Sequence, residues 1–297
     1  MTQAPPGVRS GRTGGPAAGS ASEPAPGTAP GGRAAALRTR LVGLAVGLAW
    51  TTVGFACFIA LWQLAATVST DVPTPLDAVR ALVRLLGHPV YVRGDNDKGI
   101  AVYLATSLQR VFAGFALAAL VGIPIGLLIG ASRRAWRALN PVVQLLRPVS
   151  PLAWFPIFLA VFRDAGQASV FTIFITSLWP TLLNTAVGAA TTPADQRNVA
   201  RVFHFGRFQY VRYVLIPNAM PATITGLRLS MGTAWVVIVA AEMLSGNSGI
   251  GFFVWDTYNA GNLANVAAAI LVIGFVGIVL DAIVVWLSRR VLEESRS

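Results

Sequence analysis

The stretch TPADQRNVARVFHFGRFQYVRYVLIPNAMP, residues 192–221, is a basic and aromatic segment between two long apolar runs. We call it the basic connector. Thr192, Pro193 and Asp195 predict a helix start, because a hydroxyl cap, a proline in the first turn and a nearby acid each favour one. The connector is therefore predicted to open with a short helix over about residues 193–206.

That first helix is predicted to be amphipathic. Val199, Val202 and Phe203 fall on one face at helical spacing, whereas Arg197 and Arg201 share another. A short amphipathic helix between membrane spans is suited to lie on the membrane surface or to dock in a groove of a partner protein. A solvated connector without a partner is the alternative.

The end of the connector is predicted from its glycine and its prolines. Gly206 is the predicted stop of the first helix. A second short helix follows, with apolar residues from Phe208 to Leu215 on one side, and it is predicted to end at Pro217 and Pro221.

The rest of the chain has the composition of an integral membrane protein. Of its 297 residues, 55% are hydrophobic and only 12% are charged, whereas soluble domains carry about 25% charged residues. The predicted fold class is therefore an all-α polytopic membrane protein. Its six transmembrane helices are expected at about residues 41–68, 105–131, 140–162, 167–190, 222–244 and 263–287.

Three segments outside or within these spans have distinctive compositions. Residues 1–33 are rich in glycine, proline and alanine, which predicts a disordered cytoplasmic tail before a membrane domain at 34–297. The third span carries Pro148, Pro151 and Pro156, which line a cavity or bend the helix; bending is the expectation. Residues 245–262 are a glycine-rich loop that either receives an external partner or folds back as a re-entrant turn.

A glycine series in the second span is suited to close helix packing. Gly122, Gly126 and Gly130 repeat at four-residue spacing, which lets another helix backbone approach closely. Plain packing inside the subunit is the simpler interpretation, and a contact between two copies is the alternative.

The charge distribution predicts the orientation of the chain in the membrane. The net charge of +11 comes almost entirely from arginine beside apolar runs. Most arginines lie in the tail, in residues 132–139, in the basic connector and at the carboxyl end. Since positive residues accumulate on the cytoplasmic side, both ends and the connector are predicted to be cytoplasmic. This arrangement explains the charge without a nucleic-acid partner.

Several functional classes lack their sequence signatures. The sole lysine, Lys98, follows Asp97 instead of glycine, so there is no Walker A motif; HExxH and GxSxG are absent as well. Cys57 is the single cysteine, and His88 and His204 are the two histidines, too few for a convincing metal site. The chain is therefore predicted not to be an enzyme, and another chain must hydrolyse any ATP that it uses.

The connector resembles the cytoplasmic loop of the integral subunits of binding-protein-dependent ABC importers. In that family a Glu-Ala-Ala triplet is followed by a glycine and then by an apolar segment that ends in proline. Ala200 matches the triplet and Ile216-Pro217 match the ending. Asn198 stands in the acidic position and His204 stands where the glycine usually is, so the chain departs from the pattern at two places.

Other motifs are similar to the nitrate, sulfonate, taurine and bicarbonate branch of these permeases. They are Pro151-Leu152-Ala153-Trp154-Phe155-Pro156, Gly226-Leu227-Arg228, Ala240-Ala241-Glu242-Met243 and Gly249-Ile250-Gly251-Phe252. Within the branch, residues 198–201 and 252–256 look most like the nitrate, cyanate and bicarbonate permeases. The resemblance covers about residues 45–292.

The resemblance implies the type I ABC importer permease fold in the bacterial inner membrane. The implied partners are two cytoplasmic ABC ATPase subunits, an external solute-binding protein and a second permease subunit, identical or similar. No cofactor is expected on this chain, because ATP and Mg belong to the ATPase. The connector becomes a coupling helix that docks on the ATPase through Asn198, Val199, Ala200, Arg201, Phe203, His204, Phe205, Gly206 and Arg207.

Ionisable residues in the spans are the candidate substrate contacts. Arg147, Arg228 and Glu242 are chosen because a buried charge is costly and therefore tends to be functional. Snorkelling to a membrane face is the alternative for Arg110 and Arg228. Pairing with an arginine that holds the helices together is the alternative for Glu242.

The predicted function is the membrane subunit of an ATP-driven importer of a small anion, with nitrate or nitrite first. Sulfonate or taurine, bicarbonate and cyanate remain open. A stand-alone secondary transporter is a more distant alternative, and a scaffolding or receptor subunit without transport is the third.

Overall fold

The computed structural model describes residues 31–69, 71–94 and 97–294. Most of the predicted tail at 1–33 lies outside the described residues. Within them the regular elements are helices, apart from one antiparallel bridge between Val92 and Lys98. The described chain divides into a unit that ends at Ile59 and a second unit from Ala60 onward. Helices from Pro75 onward all lie in the second unit.

Eleven helices follow one another along the described chain. They are α1 Gly31–Val68, α2 Pro75–Gly87, α3 Ile100–Ala131, α4 Arg133–Leu146, α5 Pro151–Phe162, α6 Ala165–Ala190, α7 Ala194–Val202, α8 Arg207–Tyr210, α9 Ile216–Ser245, α10 Ile250–Asn259 and α11 Leu263–Glu294. A π-helical turn, Val211–Leu215, joins α8 to α9.

Five continuous helical segments are long and apolar enough to cross a membrane. They are Ala45–Val68, Ile100–Ala131, Ala165–Ala190, Arg207–Ser245 and Leu263–Arg290. A sixth span exists only if α4 and α5 count as one, and these two helices meet at an angle of 92°. The third predicted span is thus a sharply broken pair. Pro148 and Pro151 explain the break, because proline lacks the N–H that would continue the hydrogen-bond ladder.

The core of the second unit is the packing of α3, α6 and α9. Glycines of α3 face α6 so closely that a side chain would not fit: a Cβ on Gly126 would lie 2.7 Å from the Leu182 oxygen and 2.7 Å from Thr185 Cβ. Gly122 and Gly130 face the same helix. The glycine series therefore serves packing inside the subunit, as close backbone approach requires.

Hydroxyl groups and one indole also join the core helices. Thr181 Oγ1 lies 2.7 Å from Ser230 Oγ, which links α6 to α9. The Trp235 indole N–H donates to the Ile273 oxygen at 3.1 Å and links α9 to α11. Such bonds fix the rotation of each helix about its axis, because every buried polar group needs a partner.

The connector differs from its prediction at both prolines. Pro217 and Pro221 do not end a helix, because the chain runs as one helical segment from Arg207 to Ser245. The π turn is the physical reason: Ile216 N–H donates to the Val211 oxygen five residues back, and the wider turn accommodates a chain that has lost proline N–H donors.

The glycine-rich stretch at 245–262 is not a simple loop. It contains α10, whose Ile250, Phe252 and Val254 are buried, whereas Trp255 and Tyr258 are exposed. The amino end of α10 packs against α3 and α9. This arrangement is closer to a segment that folds back than to an open loop.

Candidate functional site

Helix α7 begins one residue later and ends earlier than the sequence predicts. Pro193 occupies the N-cap position, and Asp195 lies in the first turn. The Thr192 hydroxyl does not cap α7; it donates to the Ala189 oxygen at 2.9 Å, at the end of α6. The predicted hydroxyl cap was therefore wrong, because the preceding helix end offers a carbonyl within reach.

The turn after α7 is made by His204 and not by Gly206. His204 has φ 51°, in the left-handed region, whereas Gly206 has φ −63° and begins α8. Phe205 N–H donates to the Ala200 oxygen at 2.9 Å and closes the turn. A left-handed residue usually is glycine. The turn thus falls at the position where the resemblance places the family's glycine.

An apolar surface projects from α7 and its turn. Its residues are Val199, Val202, Phe203 and Phe205, and we call it the coupling face. The exposed fractions of Val202 and Phe203 are 74% and 71%, whereas Ala200 is buried against the rest of the connector. An exposed apolar patch with a charged surround is typical of a protein-binding surface.

Three arginines and a histidine surround an open cavity of about 450 Å³ beside the coupling face. Arg197, Arg201, His204 and Arg207 line it, together with Ala200, Phe205 and Tyr210. Among the described residues, no carboxylate lies within ion-pair distance of these arginines. Asn198 is exposed on the same helix. The predicted coupling residues thus lie together on one short segment.

A second cavity, of about 480 Å³, lies where α4 breaks from α5. We call it the mid-span cavity. Helices α6 and α9 form its other walls. Its lining residues are Arg147, Val149, Pro151, Trp154, Ile175, Thr176, Trp179, Pro180, Leu183, Asn184, Val187, Leu229 and Thr233. Among the three predicted substrate contacts, Arg147 is the one that lines this cavity.

Glu242 lies elsewhere, with its side chain fully buried in a hydrogen-bonded cluster. Its carboxylate accepts from Ser107 Oγ at 2.7 Å, from Arg110 Nη1 at 3.0 Å and from Gly251 N–H at 3.1 Å. Each oxygen has a protein donor. This geometry matches the structural alternative, in which Glu242 pairs with an arginine and holds helices together; a role in the pathway stays a prediction.

The cluster around Glu242 also fixes the start of α10. Ile250 N–H donates to Ser107 Oγ at 2.8 Å, and Arg110 donates to the Ser248 oxygen. Gly249 has φ 138°, and a Cβ there would overlap the Glu242 carboxylate. Side chains of α3 and α9 therefore cap α10, which has no cap of its own.

Arg228 pairs with Asp281, which was not among the predicted site residues. Its Nε and Nη2 donate to the two carboxylate oxygens of Asp281, both at 2.8 Å, between α9 and α11. The signal was present, because Asp281 is an acid inside an otherwise apolar run. Neither residue lines the mid-span cavity. Trp179 and Asn184 do line the mid-span cavity, but nothing in the sequence around them indicated a functional site.

Comparisons with known proteins agree with the helical architecture. Residues 122–293 match the family described as binding-protein-dependent transport system inner membrane component. A chain of the inward-facing methionine ABC transporter MetNI superposes with a TM-score of 0.56 at 18% identity, over 66% of this chain and 95% of that one. This likeness confirms the predicted fold of type I importer permeases.

Relatives with higher identity cover most of the chain. The nitrate import permease protein NrtB of Leptolyngbya laminosa is 43% identical over 246 residues, 83% of this chain and 88% of the relative. The bicarbonate transport system permease protein CmpB of Synechococcus elongatus is 40% identical over 259 residues, 86% of this chain and 92% of the relative. The chain therefore belongs to the family of inner membrane components of binding-protein-dependent transport systems.

Proposed function

We propose that this chain is the membrane-spanning subunit of an ATP-driven importer, and that its substrate is nitrate. The observation that carries the proposal is the 43% identity to a nitrate import permease over 83% of this chain. Bicarbonate is the second candidate, because the bicarbonate permease is 40% identical over 86% of the chain. Sulfonate or taurine and cyanate follow.

The chain translocates the anion and leaves ATP hydrolysis to a partner. The partner ATPase binds ATP and Mg²⁺ and seats the coupling face in a groove. Val199, Val202, Phe203 and Phe205 supply the apolar anchor, and Arg201 and Arg207 supply the charged edge. Asn198, Ala200, His204 and Gly206 shape the helix and its turn. Support comes from the exposure of the apolar side chains on so short a helix.

The assembly contains two membrane subunits, two ATPase subunits and an external solute-binding protein. Both chain ends and the coupling face lie on the cytoplasmic side of the inner membrane. Closure of the ATPase pair moves α7, which only three residues, 191–193, separate from α6. Since α6 also walls the mid-span cavity, this movement changes access to the anion.

Uptake by a strain that lacks this chain tests the proposal. Labelled nitrate, bicarbonate and taurine are offered separately, and the intact gene is restored as the control. Loss of nitrate uptake alone supports the proposal. Loss of bicarbonate or taurine uptake with normal nitrate uptake overturns the substrate and keeps the architecture.

A second measurement separates an importer from a stand-alone transporter. The tagged chain is purified in mild detergent, and the co-purifying ATPase is measured by its activity. An importer subunit carries an ATPase whose activity rises with the loaded binding protein. Transport in proteoliposomes by the chain alone, without ATP, contradicts the importer.

A further inference from the structure

The mid-span cavity presents hydrogen-bond donors and a single charge. Arg147 is the one ionisable residue among the residues that line it, and no carboxylate lines it. Within the described part of the chain, the Arg147 guanidinium has no ion-pair partner. Arg147 is exposed in the single subunit, so its unpaired guanidinium is suited to bind a small anion through charge-assisted hydrogen bonds.

The break between α4 and α5 adds to this positive potential. Pro151, the first residue of α5, lines the cavity, and Ser150 at the N-cap makes no side-chain capping bond. The amino end of α5 therefore keeps its positive dipole uncapped beside the cavity. At the opposing end of α4, the oxygens of Val143 and Leu146 accept from Arg147 and Val149 N–H. The amino end of α5, which favours an anion, therefore has fewer hydrogen-bond partners than the carboxyl end of α4.

The neutral polar groups of the cavity also favour an anion. Trp154 and Trp179 have no protein acceptor for their indole N–H groups within the described residues, and Asn184 uses one amide N–H on the Pro180 oxygen at 2.8 Å. The hydroxyl protons of Thr176 and Thr233 are already given to backbone oxygens. Two indoles and one amide N–H remain as neutral donors.

The cavity lies beside the second half of α6, a helix that is long and apolar enough to cross a membrane. Its α6 residues begin at Ile175, ten positions after the helix starts, and extend to Val187, near its end. At 1.5 Å per residue this is about 15 to 33 Å from the start of α6, against a hydrocarbon thickness of about 30 Å. The cavity thus occupies the half of the span that leads to α7.

We propose that the mid-span cavity is a selectivity site for a small monovalent anion that only accepts hydrogen bonds, with Arg147 as its charge and Trp154, Trp179 and Asn184 as its neutral donors. The inference rests on the proposed function and deepens it. It places a second discrimination step inside the membrane, after the binding protein has delivered the anion.

The lining favours nitrate over bicarbonate, over taurine and over a divalent anion by their chemistry. Nitrate carries one charge, accepts hydrogen bonds only and holds water less strongly than bicarbonate, so it loses less on entering a cavity with apolar walls. One arginine cannot neutralise a divalent anion such as sulfate. Taurine carries an ammonium group, which would find no carboxylate in the lining. The cavity therefore selects nitrate over sulfate and taurine.

Protection of an introduced cysteine tests the site without transport. Leu229, on the cavity wall, is changed to cysteine in a Cys57→Ser background, with Thr233→Cys as a second position. The full complex with its ATPase, without ATP and without binding protein, is labelled by N-ethylmaleimide at constant ionic strength. Nitrate is expected to slow labelling, whereas sulfate and taurine are not.

Variants at one arginine make the test specific. Arg147→Gln is expected to raise the half-protecting nitrate concentration about tenfold or more, the usual effect of losing a charged hydrogen bond. Arg147→Lys, which keeps the charge, is expected to fall between. Arg137→Gln removes a charge from the same helix outside the cavity and is expected to leave protection unchanged.

The inference is overturned by no protection by nitrate at either cysteine, or by equal protection in Arg147→Gln. Equal protection by an inert monovalent anion such as gluconate also overturns it. The inference and the proposed function fail separately. Loss of nitrate uptake without protection refutes the cavity alone, whereas protection by nitrate in a chain that is not needed for nitrate uptake refutes the substrate and supports the anion site.

Discussion

Single residues in this chain show how a membrane protein places charge. Glu242 and Arg110 form a buried pair in which Glu242 is fully inaccessible and Arg110 is 12% exposed. The pair costs dehydration of both ions, and additional donors such as Ser107 and Gly251 N–H offset this cost. The same cluster caps α10. The Glu242 carboxylate thus holds α3, α9 and α10 together, and its removal is expected to affect all three helices.

We expect Glu242→Ala to destabilise the protein strongly. The substitution leaves the Arg110 guanidinium buried without its carboxylate, which typically costs about 3–5 kcal/mol. Glu242→Gln keeps the shape and part of the hydrogen bonding, so it is expected to cost less. The measurement is the thermal unfolding midpoint of the purified complex in detergent.

Asp256→Ala is the matched control for that comparison. Asp256 is an exposed acid on α10, so its loss should leave the unfolding midpoint unchanged. An unfolding midpoint for Glu242→Ala equal to that of the Asp256 variant would show that the buried pair does not stabilise the fold.

At the scale of elements, the contact between α3 and α6 depends on the absence of side chains. A Cβ atom placed on Gly114 would lie 2.6 Å from the Val170 oxygen, and a Cβ atom placed on Gly126 would lie 2.7 Å from the Leu182 oxygen. Carbonyl oxygens of a helix cannot move aside without breaking its ladder. The two helices would therefore separate to admit even a methyl group.

Gly126→Ala tests this packing against a glycine in open space. We expect a loss of about 1–3 kcal/mol, the usual range for overpacking, seen as a lower unfolding midpoint. Gly274→Ala on α11 adds the same methyl group where no atom lies within 4 Å, and it should be neutral or slightly stabilising. Equal effects of the two substitutions would contradict the packing explanation.

In the basic connector, Phe203 is an exposed aromatic side chain in the coupling face. Phe203→Asp places a charge in the middle of the coupling face and is expected to reduce the co-purifying ATPase about tenfold or more, as loss of a buried aromatic anchor does. Ala194→Asp puts the same charge at the amino end of α7, where a helix tolerates acids, and should retain the ATPase. Normal uptake by the Phe203→Asp strain would favour a scaffolding role for this chain.

For the whole molecule, orientation follows from where arginine lies relative to the spans. The basic connector and the carboxyl end carry several arginines, whereas α10 and the turns beside it carry none. Arginine-rich segments tend to stay on the cytoplasmic side of the membrane. The connector is therefore expected in the cytoplasm and α10 on the external side.

Thiol accessibility in intact cells tests this orientation. In a Cys57→Ser background, Asn259→Cys on α10 should react with a membrane-impermeant thiol reagent added to the cells. Ala194→Cys on α7 should react only after the membrane is opened. The opposite pattern would reverse the orientation and rule out an ATPase contact at the coupling face.

The sequence by itself determined the class of the protein and the nature of its elements. Hydropathy and helical periodicity are properties of neighbouring residues, so the membrane helices, the amphipathic α7 and the basic connector could be predicted without any distant contact. The same locality explains the errors. Thr192 as a cap, Gly206 as a stop and the two prolines as helix ends were plausible local signals that longer-range geometry overrode.

The tertiary structure alone decided which charged residues meet. Glu242 finds Ser107 across 135 positions of sequence, and Arg228 finds Asp281 across 53. Arg147 has no such partner among the described residues, and it lines a cavity between the α4–α5 break and two other helices. Pairing and isolation of charge depend on how helices pack against one another, and no stretch of sequence contains that information.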